Sequence, residues 1–303
     1  MIHREIITEC IKDPMERYHQ KMKSTIGNWR TLVAVTEKLL AGKEVKDDEF
    51  PCVFLPLIRM MRMIIQVSKE SQWDWSNPTI QNVYKEVSES QIYKNFADAT
   101  VDMVSSIIRT VGIGTLVEIG TGPGQVTSRL CEEMTKHNIT IPIVISDKSS
   151  SISLTGENLR KSFPCLTIND FIWDFKEDPP SELIGKLTKP ILLFERFCIP
   201  YGGYDAIDRI GPIADVLIMV EYLSLTGKKE AYDIINEKIG TQFFTYRKAK
   251  EHLEKHFSLI YTCDSKTIEV VNAPVTIFTL AACNPFGPSS TSNSTESPSF
   301  KDL

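Results

Sequence analysis

From Thr115 onward, short apolar runs alternate with helix-like segments, and this alternation constrains the fold more than any other feature. The runs are Leu116–Ile119, Ile141–Ser146, Cys165–Ile168, Ile191–Phe194 and Val216–Val220. Strands alternating with helices build βαβ units and hence a parallel sheet covered by helices. Two later runs, Phe257–Thr262 and Val275–Ala281, follow each other without a crossover helix, so they predict an antiparallel hairpin at the sheet's edge. Before about Thr110 the texture is different. Trp29–Leu40 and Phe54–Val67 carry apolar residues at helical spacing, Gly42–Pro51 is charged and turn-rich, and Asn77-Pro78 predicts a turn that opens another helix. Pro, Ser and Thr dominate beyond Asn284. The expected organisation is a helical cap or lid over 1–110, a Rossmann-like α/β domain over 111–283 and a disordered tail over 284–303. That domain would hold a mostly parallel, seven-stranded sheet ending in the antiparallel hairpin.

Composition limits what such a fold can serve. The chain of 303 residues is 42% hydrophobic and 24% charged, enough for a sizeable core, and its net charge of −5 offers no broad cationic surface. No nucleic-acid partner is therefore expected. No stretch reaches the roughly 18 consecutive apolar residues of a membrane span, and Met1–Cys10 lacks the apolar core of a secretory signal. The expectation is a cytoplasmic chain with no membrane partner. Seven scattered cysteines without a CxxC pair read as reduced, ordinary thiols rather than zinc ligands. His252 and His256 share a helical face, but no third ligand accompanies them, so no metal site is expected.

The chemistry concentrates after the first strand. Gly120, Gly122 and Gly124 form a turn between a strand and the helix-like Gln125–Met134. Such a turn lets the backbone approach a ligand and aims amides at it. A dinucleotide fingerprint would place glycine or alanine at position 125, which is Gln, and this opposes an NAD-linked oxidoreductase. The glycines instead read G-x-G-x-G, with Glu118 two residues ahead. Val117-Glu118-Ile119-Gly120-Thr121-Gly122-Pro123-Gly124 resembles motif I of class I S-adenosylmethionine-dependent methyltransferases.

The resemblance spans Tyr93 to Ala282 in order of elements and is strong only at motif I. It implies the Rossmann-like methyltransferase fold, S-adenosyl-L-methionine as cofactor, and a cofactor site drawn from Glu118, Gly120, Thr121, Gly122, Gly124, Asp147, Lys148, Asp170, Phe171 and Tyr93. Asp147, ending the second strand, would hold both ribose hydroxyls; its bland alternative is a cap for the Ser-rich turn that follows. Asp170, after the third strand, would lie near the adenine amino group, with Asp174 as a second register. Tyr93 and Phe96 resemble an aromatic pair that closes over the cofactor, although helix core accounts for them equally well.

Methyl transfer is an in-line displacement, so positioning in a water-poor pocket carries much of the rate. The family places substrate-facing residues past the fourth strand, here Glu195, Arg196, Tyr201 and Tyr204. Charged residues ending an apolar strand are costly unless matched or functional, which makes Glu195 the candidate base or anchor and an internal ion pair its alternative. His19, in the helical segment, is a conceivable acceptor contact. The leading expectation is methyl transfer to a small-molecule acceptor, with oxygen or carbon favoured over nitrogen. The other is a non-catalytic cofactor- or partner-binding protein that docks through Met60, Met61, Met63, Trp73 and Trp75.

Overall fold

A computed structural model describes residues 11–20, 29–49, 52–70, 73–75, 77–224, 229, 231–264 and 276–283. Its seven strands are β1 (Thr115–Ile119), β2 (Ile143–Asp147), β3 (Ile168–Ile172), β4 (Ile191–Arg196), β5 (Val216–Leu223), β6 (Leu259–Asp264) and β7 (Thr276–Cys283). They form one sheet in the order β3-β2-β1-β4-β5-β7-β6. Five strands are parallel, while β7 runs antiparallel between β5 and β6. The chain order reverses between β1 and β4, the topological switch point at which open α/β sheets bind ligands.

All five residues of β1 are buried, which fits a central strand with helices on both faces. Alternation sorts the side chains of the central strands. Leu116, Ile145, Leu192, Phe194, Ile218 and Val220 join one core. Val117, Ile119, Val144, Leu193, Leu217 and Met219 join the other. The second face carries α8 (Ser181–Ile184), α9 (Ile199–Gly202), α10 (Tyr204–Ile210) and α12 (Tyr246–Leu253).

The first face carries α1 (residues 11–20), α2 (Trp29–Leu40), α3 (Leu55–Glu70), α4 (Pro78–Glu89), α5 (Gln91–Val111), α6 (Gln125–Lys136), α7 (Ile152–Ser162) and α11 (Ala231–Lys238). Asn77 caps α4 by accepting from the Thr79 amide at 2.9 Å, with Pro78 in the first turn, as the Asn-Pro pair predicts. Gly112 ends α5 in the left-handed conformation, which glycine adopts without the clash that a Cβ would bring. Ile11, Met15, Val35, Ile58 and Ile107 share one core with the sheet residues, so the N-terminal helices are built into this face.

Strand β3 corrects the sequence reading. It begins at Ile168, where Cys165–Ile168 was the expected run, and Cys165 itself is exposed. The reason is its place at the sheet's edge, where polar Asn169 and Asp170 are accommodated and Ile172 is 55% exposed. The expected tail lies outside the described residues.

Candidate functional site

Three strand ends and the turn after β1 converge at the switch point. Gly120, Gly122 and Gly124 all have positive φ, at +68°, +55° and +76°. They serve different purposes. A Cβ on Gly120 would lie 2.7 Å from the Cβ of Cys198, and one on Gly124 would lie 2.6 Å from Thr155 Cγ2, so both glycines let chain segments pack closely. A Cβ on Gly122 would meet nothing within 4 Å, so this part of the turn faces open space. Thr121 is buried, and its amide donates to the Ser146 carbonyl at 3.1 Å.

Asp147 is the hub. One carboxylate oxygen accepts from the Gly122 amide at 2.9 Å and the other from the Ser149 amide at 2.9 Å. Its own carbonyl accepts from the Trp173 amide at 2.9 Å, which draws the exit of β3 to the end of β2. An ionised carboxylate has about four acceptor positions, so two remain. The Ser149 bond realises the capping alternative in part, without exhausting the group.

Asp174 follows Trp173 and pairs with Lys148, Nζ to Oδ2 2.6 Å, across the same corner. Burial pushes its pKa upward, but the Lys148 hydrogen bond, the Lys176 amide and both lysine charges hold it below the usual value. Asp170 and Phe171 do not reach this corner. With β3 shifted, Asp170 sits mid-strand opposite Ile145, ion-paired with Arg160 of α7 and packed against Gly156. Phe171 packs on the second core. With β3 beginning at Ile168, these two lie within the strand rather than at the corner where Lys148 and Asp174 meet.

Glu118 is buried on the first face, where Thr127 of α6 donates a hydrogen bond to it. Burial raises its pKa to about 7, against the lowering effects of Thr127 and Arg196, and Asp147 adds to the rise. Glu195 is fully buried but points to the opposite face from Arg196. Its Oε2 accepts from the amides of Cys198 at 3.1 Å and Ile199 at 3.3 Å, and Glu221 Oε1 also accepts from Ile199. Burial raises the Glu195 pKa, opposed by these bonds and by one to Glu221. Glu195 Oε2 thus secures the start of α9.

Arg196 lies on the first face of the sheet, opposite to Glu195. Its Nη2 donates to the Tyr93 hydroxyl at 2.9 Å, and its guanidinium carbon lies 4.6 Å from the Tyr93 ring centre. Tyr93 and Tyr84 share a hydrogen bond of 3.1 Å. Trp75 meets Tyr84 edge-on at 5.4 Å and Tyr201 at 6.2 Å, which extends an aromatic wall from α4 and α5 to α9. Burial disfavours the charge on Arg196, yet the surrounding tyrosines and Glu118 raise its pKa. Phe197 follows in the left-handed region at φ +60° and packs edge-on against Phe96 at 5.8 Å.

The remaining candidates lie elsewhere. Tyr204 stacks on Phe244 at 4.1 Å between ring centres, and its hydroxyl accepts from the Thr245 amide, so it belongs to the α10–α12 packing rather than to an acceptor pocket. His252 and His256 both bond Asp208, at 2.9 and 3.0 Å. His19 is buried edge-on to Tyr18. No helix among the described residues is long and apolar enough to cross a membrane.

No protein-family model and no curated protein sequence matches this chain. Solved structures do match in fold. The carbon methyltransferase DszA superposes with a TM-score of 0.59 at 11% identity, over 76% of this chain and 66% of that one. The CurJ carbon methyltransferase gives 0.56 at 11%, over 82% and 70%. The citrinin polyketide synthase CMeT domain gives 0.53 at 12%, over 69% of this chain and 57% of its own length, so this chain spans little more than half of that domain. The fold is that of class I S-adenosylmethionine-dependent methyltransferases.

Proposed function

We propose that the chain is an S-adenosylmethionine-dependent methyltransferase acting on a small molecule at carbon or oxygen. The observation that carries this reading is the convergence on Asp147: the glycine turn and the exit of β3 both bond to it, beside the open space over Gly122. The donor and acceptor set suits the cofactor. Asp147 retains acceptor positions for two ribose hydroxyls. Asp174, held ionised by Lys148, can accept from an adenine amino group. Glu118 and the turn's amides suit an amino-acid moiety with an ammonium and a carboxylate.

The cofactor would supply an electrophilic methyl group on a sulfonium. The chain's task is then positioning and exclusion of water. Trp75, Tyr84, Tyr93 and Tyr201 wall the space before the strand ends. The N-terminal region that carries Trp75, Tyr84 and Tyr93 would serve as the cap that selects the acceptor. Carbon methyltransferases of similar fold support carbon as an accepting atom, and the lack of an Asn-Pro-Pro-Tyr-type motif after β4 disfavours nitrogen and leaves oxygen open.

Calorimetric titration of the full chain with S-adenosylmethionine and with NAD tests the reading. S-adenosylmethionine alone should bind at micromolar concentration, and Asp147→Ala should weaken it at least tenfold, about 1.4 kcal/mol. Preference for NAD, or no binding, would refute it. Binding without methyl transfer to any acceptor screened would favour the non-catalytic alternative.

A further inference from the structure

One incompletely satisfied group at the site is a cation. Arg196 Nη1 is buried and has no hydrogen-bond partner among the described residues. No carboxylate among them forms an ion pair with this guanidinium, and its one hydrogen bond is to the neutral Tyr93 hydroxyl. The buried Tyr18 hydroxyl, within electrostatic reach of Arg196, has the Thr100 side chain beside it but makes no well-formed hydrogen bond among the described residues. Glu118 acts on Arg196 electrostatically without pairing with it, and a buried cation with an unpartnered N–H is unfavourable. The position also carries meaning. Arg196 ends β4 at the switch point, and Tyr84, Tyr93, Trp75 and Tyr201 lead up to it.

We infer that the methyl acceptor is a carboxylic acid whose carboxylate binds between Arg196 Nη1 and the Tyr18 hydroxyl, with its body against the aromatic wall. Two unused donors match the two oxygens of a carboxylate. The inference rests on the methyltransferase reading and adds the chemical class of its substrate.

The test uses the full chain saturated with S-adenosylhomocysteine and three probes of one shape: benzoate, benzamide and phenyl phosphate. Wild type should bind benzoate at least tenfold more tightly than benzamide. Arg196→Met should abolish that ratio while binding S-adenosylhomocysteine within threefold of wild type, and Arg196→Lys should keep part of it. Equal binding of benzoate and benzamide, or binding of neither, overturns the inference. So does a ratio that survives in Arg196→Met, and tighter binding of phenyl phosphate than of benzoate would assign the site to phosphate instead. The wild-type ratio decides the matter even if the Met variant does not fold. Failure to bind S-adenosylhomocysteine refutes the methyltransferase reading separately, since the benzoate-to-benzamide ratio can be measured without it.

Discussion

Replacing Glu118 by Gln should make the chain's stability less sensitive to pH, in a predictable direction and amount. Burial raises the folded carboxyl from 4.5 to about 7, so the folded state holds this proton more tightly than the unfolded state does. The resulting stability is fully present below the unfolded pKa and is lost as pH rises through the folded one. With 1.36 kcal/mol per pKa unit, the whole effect is about 3 kcal/mol, of which about 2.5 kcal/mol falls between pH 5 and pH 8. Glu118→Gln keeps the shape and an acceptor for Thr127 but has no proton to lose. Urea unfolding of both proteins without ligand, at pH 5 and pH 8, should show the variant gaining about 2.5 kcal/mol on wild type over that interval. A difference that stays constant within about 0.5 kcal/mol would refute the argument that Glu118 is desolvated in the native state. S-adenosylhomocysteine carries an ammonium suited to the ionised form. Its affinity for wild type should therefore rise through pH 7, and that rise should vanish in the variant.

Asp174→Asn should weaken S-adenosylhomocysteine at least fivefold by calorimetry while Asp170→Asn leaves it unchanged, because only Asp174 shares the corner with Asp147 and Lys148. Gly120→Ala combines a left-handed φ with overlap on Cys198 and should cost more than about 2 kcal/mol in urea unfolding. Gly122→Ala meets no atom and should cost only about 1 kcal/mol, while its methyl group blocks the open approach and lowers cofactor affinity at least tenfold.

The sequence made parts of this architecture legible for physical reasons. Central strands buried on both faces must be apolar throughout, so β1, β2, β4 and β5 stand out, and a tight turn with three positive φ angles requires its glycines. The Asn-Pro start of α4 is equally local. An edge strand tolerates Asn169 and Asp170, so the apolar run Cys165–Ile168 marks the start of β3 poorly, and the choice between Asp170 and Asp174 near the adenine turns on that register. The facing of Glu195 and Arg196 depends on the register of β4 against β1, which nothing in their own neighbourhood reveals. The surroundings of Arg196 are gathered from Tyr18, Tyr84 and Tyr93 on three helices, and no spacing rule joins such distant positions.

The opposite facing of Glu195 and Arg196 also bears on how the sheet assembles. A slip of β4 by one residue against its neighbours would exchange the two side chains across the sheet. The guanidinium would then face the amide protons of Cys198 and Ile199, donors meeting a donor, and the carboxylate would enter the ring of tyrosine hydroxyls that now surrounds a cation. Apolar strands such as Ile191-Leu192-Leu193-Phe194 are nearly the same on both sides and discriminate weakly against such an error. The two charges at the strand's end break that near-degeneracy, so the residues that shape the site also proofread the alignment of the strand that presents it.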